Sequence, residues 1–274
     1  MTGPDGGRHS LPYTANLSIL FTELPLLERA PAARAAGFTD VEFWWPFDAA
    51  DPRPEEVEAF VRSIERAGVR LTGLNLFAGD MAAGERGLVS WVGREAEFAV
   101  GLTSALGIAE RLGCRSFNAL YGNRIEGVAP SEQDELALVQ LAAAAEAAAG
   151  IGAQVVLEPL SGAPSHPLKT AADAVAVLDE LGLANVRLLA DLYHLAVNGE
   201  DLDAVISEHT PRVGHVQIAD APGRHQPGTG ELDLGRHLEK LQLAGYAGHV
   251  GIEYRPDGPT AGSLAWLPFE RRGN

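Results

Sequence analysis

Short apolar runs alternate with amphipathic stretches of helical period almost from one end of the chain to the other. The runs that predict strands are Asn16–Phe21, Val41–Trp44, Val69–Leu76, Arg115–Leu120, Gln154–Glu158, Val186–Asp191, Val213–Ile218 and His249–Glu253. Between them, apolar residues recur at helical spacing over Leu24–Ala36, Pro54–Ala67, Trp91–Leu112, Ser131–Ala149, Ala171–Leu181, Leu202–His209 and Leu234–Leu243. Gly37, Gly68, Gly113 and Gly150 follow four of these stretches, where glycine ends a helix at low conformational cost. Pro54 opens one helix, and Ser131 with Asp134 three residues on resembles a capping box at the start of another.

Runs such as QVVLE, VRLLAD and HVGIE are continuously apolar rather than alternating, as parallel strands covered on both faces require. Eight strands with helices after the first seven, in roughly 250 residues, predict an α/β fold of one domain, a (β/α)8 TIM barrel. It is expected over residues 13–274, behind a loose Gly-rich tail over residues 1–12. A doubly wound open sheet would offer fewer strands and a Gly-rich first turn. NLSILFTELP has no G-x-G-x-x-G, so no nucleotide cofactor is expected either.

The second half places one polar residue at the end of each strand run: Glu158, Asp191, Gln217 (one residue before its strand ends) and Glu253. In a barrel these ends open on one mouth, so the four side chains converge there. Three carboxylates in a small, partly buried space need either raised pKa values or a cation among them. A donor set of oxygens alone, without Cys or His, suits a hard divalent ion such as Mg2+ or Mn2+. His194, three residues past Asp191, is placed to bind a substrate hydroxyl or relay a proton. Arg224 and His225, in the Gly- and Pro-rich loop after the seventh strand, form a local positive patch suited to a substrate carboxylate. Glu231 in the same loop is either a supporting acceptor or part of the cap of the next helix.

The first half contributes Glu42, an acid inside a strand and a candidate for the mouth, and Asn75, Asn118 and Asn123, candidates for substrate hydroxyls. Trp44, Trp45 and Phe47 could wall the site, and LFAGDMAAGERG has the composition of a lid, Ala78–Gly87.

Composition narrows the partners. A net charge of −16 repels phosphate backbones and anionic lipid, so nucleic acid and membrane are not expected. A single cysteine, Cys114, rules out an internal disulfide and a Cys-based zinc module. With no membrane-length apolar run and no signal-peptide pattern over Met1–Ser10, a cytoplasmic protein is expected. A homo-oligomer is compatible with this reading.

Two glutamates beside a divalent ion suit proton transfer on an α-hydroxycarbonyl compound: one removes a proton, the other returns one to the neighbouring carbon through an enediolate. Glu158 and Glu253 are the pair, and Asp191 and Gln217 complete the ligand set. NLSILFTELP, GFTDVEFWWPFD, AGDMAAGERG, VLEPL, DLYH, QIADAPGRHQPGTGELD and IEYRP resemble the hydroxypyruvate isomerase family of the xylose isomerase-like barrels, from about Tyr13 to Pro256. The resemblance implies a divalent metal on Glu158, Asp191, Gln217 and Glu253, and interconversion of hydroxypyruvate with tartronate semialdehyde, or isomerisation of a related 2-oxo sugar acid such as a 2-oxo-tetronate. The chain departs from the family pattern after the strand-five Glu-Pro, where Ser161 replaces a common Asn. Ketose 3-epimerases resemble the chain less closely, usually having His where Gln217 stands, and an inactive sugar-binding barrel would lack a ligand. An apurinic endonuclease would need a His-rich three-zinc cluster, and LNLFAG and FNALYG at strand ends three and four carry no His.

Overall fold

Eight short strands line a central barrel: β1 (Tyr13–Asn16), β2 (Asp40–Phe43), β3 (Arg70–Asn75), β4 (Ser116–Asn118), β5 (Gln154–Leu157), β6 (Val186–Asp191), β7 (Val213–Ile218) and β8 (Val250–Ile252). All neighbours are parallel in chain order, and Tyr13 of β1 pairs with Val250 of β8 to close the ring. The structure is a computed structural model and describes residues 9–273. Between the strands run α1 (Leu26–Ala35), α2 (Pro54–Ala67), α3 (Glu95–Leu112), α4 (Pro130–Gly150) and α5 (Ala171–Leu181). Then come α6 (Leu192–Val197), α7 (Leu202–His209) and α8 (Leu234–Leu243), with a short α9 (Thr260–Ser263) after the last strand. No described helix is long and apolar enough to cross a membrane.

Closure buries the strands on both sides, so their continuous apolar runs are satisfied. Phe43, Phe60, Phe117, Leu71 and Leu74 are almost fully inaccessible, and Phe43 meets Phe60 edge-on with centroids 5.1 Å apart. Each such side chain contributes roughly 1.5–3 kcal/mol by leaving water.

Several boundaries differ from the pattern for local reasons. The first strand is Tyr13–Asn16, three residues earlier than its apolar run, because pairing with β8 and β2 sets its register. Leu17, Leu20 and Phe21 are buried instead in the turn that covers the mouth-side core, and burial alone does not distinguish such a turn from a strand. α4 begins at Pro130 with Ala129 at the N-cap, so Ser131 and Asp134 form no capping box. Pro at the first helical position already supplies the required φ. Asp134 instead accepts hydrogen bonds from the Tyr121 hydroxyl at 2.7 Å and from Arg124. Of the expected tail, residues 1–8 lie outside the described residues, while His9 and Leu11 are buried rather than loose.

Candidate active site

The strand ends do converge on one mouth, over a cavity of about 490 Å³ lined by Trp44, Asn75, Arg86, Glu158, Ser161, Tyr193, His194, Arg224, Glu253 and Arg255, among others. A second cavity of about 580 Å³ shares Trp44, Asn75, Met81 and Ala82 with it and adds Trp45 and Phe47. The expected aromatic wall and the loop of lid-like composition thus border the site.

Glu158 follows β5, and its Oε2 accepts from Asn118 Nδ2 at 2.7 Å. Asp191 ends β6 and caps α6, a helix that the pattern did not predict. Its Oδ1 accepts the backbone N–H groups of Tyr193 and His194, at 2.8 and 3.3 Å. Its Oδ2 is buried without a donor. Gln217 on β7 donates from Nε2 to Glu42 Oε1 and to Glu253 Oε2, both at 2.7 Å, and its Oε1 is likewise buried without a donor. Glu253, just past β8, accepts at Oε2 from Asn16 Nδ2 (2.8 Å), Trp44 Nε1 (3.2 Å) and Gln217, and at Oε1 from Arg224 Nη2 (2.5 Å).

Arg224 is the cation facing these acids. Its Nη2 also stands 3.7 Å from Asp191 Oδ2, and its guanidinium lies over the Tyr193 ring, 5.4 Å from the centroid. The loop that carries it is tied down by Asp220, fully buried, which accepts the backbone N–H groups of Ala221, Gly228 and Leu232. Arg224 itself adopts a left-handed backbone, φ 60°, which costs a non-glycine residue about 1–2 kcal/mol. The Arg255 N–H to Arg224 carbonyl bond, at 2.7 Å, helps hold it there.

The charges do not balance. Burial, then the neighbouring Glu253 and Asp191, push the Glu158 carboxyl well above the usual carboxylate range. Burial likewise pushes Glu253 up to about 8 against the pull of Arg224. For Arg224, burial works against the charged form, but Glu253, Asp191 and Glu158 outweigh it and raise the pKa. Among the described residues, the one group of three or more His, Cys, Asp or Glu that could hold a metal ion is Glu158, Asp191 and His194, with donor atoms within 4.8 Å of one another. Glu253 is not in that trio, and its Oε1 accepts from Arg224. Two buried acceptor oxygens without donors, on Asp191 and Gln217, beside two acids of raised pKa form an oxygen-rich site that fits a hard dication.

His194 plays a different part from the acids. Its Nδ1 accepts the Ser161 backbone N–H at 3.0 Å, a group that can only donate, so Nε2 carries the hydrogen. Nε2 lies 3.6 Å from Asp191 Oδ2 and 3.8 Å from Glu158 Oε1. Burial pulls its pKa down to about 4, so it is a neutral hydrogen-bond donor facing the acids. Ser161, the departure from the family pattern, is one of its anchors.

Four expected site residues fall elsewhere. Glu42 does not line the main cavity: it lies deeper in the barrel, where Oε2 meets His215 Nε2 at 2.7 Å and Oε1 meets Gln217 and Asn16. Burial would raise the Glu42 pKa, but His215, Gln217 and Asn16 lower it below the usual value. His225 is not among the cavity-lining residues, its Nδ1 lying 2.7 Å from the Arg255 carbonyl oxygen. Asn123 donates to the Gly84 carbonyl of the neighbouring loop rather than facing the cavity. Glu231 is exposed, and the cap of α8 is Asp233. Sequence reasoning missed Asn16 and Asp220, and marked Ser161 only as a departure from the family pattern. Of the two missed, Asn16, a polar residue beside an apolar run, left a local signal.

A sequence model described as the xylose isomerase-like TIM barrel matches residues 30–268. A protein of Streptomyces coelicolor named putative hydroxypyruvate isomerase is 52% identical over 269 residues, covering 95% of this chain and 96% of its own. A 2-oxo-tetronate isomerase of Cupriavidus necator is 35% identical over 262 residues, covering 93% and 96%. Among solved structures, one from Brucella melitensis titled AP endonuclease, family 2, superposes with a TM-score of 0.85 at 36% identity, covering 94% of this chain and 98% of that one.

Proposed function

The chain belongs to the xylose isomerase-like TIM barrel family, and on that premise we propose that it isomerises a small hydroxy-oxo acid. Hydroxypyruvate and tartronate semialdehyde form the first candidate pair, and a 2-oxo-tetronate is the next, following the names of the relatives. The observation that carries this reading is the set of three buried carboxylates facing a single guanidinium, with two acceptor oxygens lacking donors. Glu158, Asp191, Gln217 and Glu253 would hold Mg2+ or Mn2+, which when bound supplies Lewis-acid polarisation of a carbonyl and balances the acids' charge.

The chain's own residues account for the rest of the chemistry. Glu158 and Glu253 approach the mouth from strands three apart around the ring, so one takes a proton from the hydroxyl-bearing carbon and the other delivers one to the former carbonyl carbon, while the hydroxyl proton passes to the former carbonyl oxygen. Burial raises both carboxyls above the usual carboxylate range, which suits them to hold a proton as well as to accept one. His194 donates from Nε2 to a substrate oxygen, and the Trp44 side excludes water. Arg224, with Arg86 and Arg255 lining the same cavity, favours a substrate carboxylate over a neutral sugar.

A coupled activity screen with Mn2+ over hydroxypyruvate, 2-oxo-tetronates and free ketoses tests this reading. Turnover of the acids above that of the ketoses is expected. Turnover confined to free ketoses would make it an epimerase-type barrel instead.

A further inference from the structure

An amide ligand poses a problem that a carboxylate does not. Its two ends differ, and only the oxygen end can hold a hard cation. Gln217 Nε2 lies 2.7 Å from Glu42 Oε1 and 2.7 Å from Glu253 Oε2, and its Oε1 is the end left without a donor. Rotating the amide would set oxygen against two carboxylate oxygens. From this geometry we infer that Glu42, on the second strand, is the positioning residue that turns the Gln217 amide so that its oxygen serves as a metal ligand.

Three further observations support the inference. Asn16 bridges the same two carboxylate oxygens through Nδ2, at 3.1 Å from Glu42 and 2.8 Å from Glu253. Its own orientation is set independently, because its Oδ1 accepts the Ser18 backbone N–H at 3.0 Å. Glu42 Oε1 is therefore an acceptor of two amides. The second observation is space. A Cβ on Gly251 would come within 2.6 Å of Glu42 Oε1 and 2.8 Å of Gln217 Cγ, and one on Gly73 would stand 3.4 Å from Glu42 Cβ. The glycine at position 251, on β8, thus leaves room for this carboxylate under the site, and Gly73 on β3 borders it at ordinary contact distance. Third, the β2–β3 register shifts between Val41, which pairs with Leu71, and Glu42, which pairs with Gly73, so a glycine and not Thr72 stands opposite Glu42.

Glu253 accepts from the same amide, but under the proposed reaction it exchanges a proton and cannot hold one hydrogen-bonding state throughout. Glu42, below the cavity and paired with His215, takes no part in that exchange. It can keep the amide oriented through the whole cycle. Outer partners of this kind typically change metal affinity by about 10–100-fold.

The inference rests on the metal-dependent reading above, and titration calorimetry with Mn2+ separates the two. The wild type is expected to bind Mn2+, with Glu42→Gln weakening binding about 10–100-fold. In a Gln217→Ala background, where no amide remains to orient, Glu42→Gln is expected to weaken binding less than about threefold. Equal binding by wild type and Glu42→Gln, or an equal loss in both backgrounds, would overturn the inference while leaving the metal reading intact. Absence of Mn2+ binding by the wild type would overturn the metal reading and the inference with it. A second measurement needs no variant: the side-chain NH2 of Gln217 should stay slow to exchange with solvent with and without Mg2+. Fast exchange in either state would count against Glu42 as its anchor, even if Glu42→Gln failed to fold.

Discussion

Raising the pH on protein stripped of divalent ions tests the charge imbalance at the mouth directly. Burial, which disfavours its ionised form, pushes the Glu253 carboxyl up to about 8 in the folded chain. An unperturbed glutamate titrates near 4.3, so in the unfolded chain it ionises almost four pH units earlier. Between those two values the folded state binds more protons than the unfolded one, so stability falls as pH rises. Full ionisation of Glu253 in the fold costs about 5 kcal/mol on this scale, and about 3 kcal/mol of it develops between pH 5 and pH 8. For a domain of this size, that lowers Tm by roughly 6–12 °C. Adding Mn2+ at about a hundred times its Kd should restore about 2.7 kcal/mol at the upper pH. Thermal melts at pH 5 and pH 8, with chelator and with Mn2+, measure both effects. Glu253→Gln, which cannot ionise, should make the chelated profile shallower, with the buried Glu158 carboxyl supplying part of the slope that remains. A chelated Tm that holds or rises with pH, or a slope undiminished in Glu253→Gln, would refute the reasoning.

Three further perturbations follow from the same geometry. Glu158→Gln should lower kcat by about a thousandfold without lowering Tm, because it removes a proton-transfer group and a buried acid that resists ionisation; a loss of only a few-fold in the coupled assay would exclude it as acid or base. Arg224→Ala should raise KM for carboxylate substrates by about tenfold and for neutral ketoses by less than about twofold, since one charge-assisted contact is removed; equal changes on both substrate classes would take Arg224 out of substrate binding. Asp220→Ala strips the acceptor from three backbone N–H groups and should cost about 3 kcal/mol in urea unfolding, with Asp220→Asn recovering part of it; an unchanged midpoint would mean that the loop holds Arg224 without Asp220.

The barrel was legible in the amino-acid order because its signals are local. Continuous apolar runs mark strands covered on both faces, and glycine and proline mark where helices stop and start. α2, α5, α7 and α8 run over the stretches their periodicity predicts. The four polar strand-end residues stood out for the same reason, and a parallel barrel brings all such ends to one mouth. The exceptions are equally physical. The apolar run after Asn16 folds into a buried turn, because the register of β1 is set by β8, more than two hundred residues away. Glu42 was legible as a buried acid but not its depth, which depends on a register shift that sets Gly73 opposite it and on the space left by Gly251 in β8. His225 and Arg224 are adjacent in the chain, yet a left-handed backbone at Arg224 accompanies their separation, one on the cavity wall and the other on the Arg255 carbonyl. The orientation of the Gln217 amide and the tautomer of His194 depend on groups far away along the chain, Glu42 and Ser161. Periodicity, capping and strand ends are properties of neighbours in sequence. Which end of a side chain faces an ion is a property of neighbours in space, and only the closed barrel supplies those.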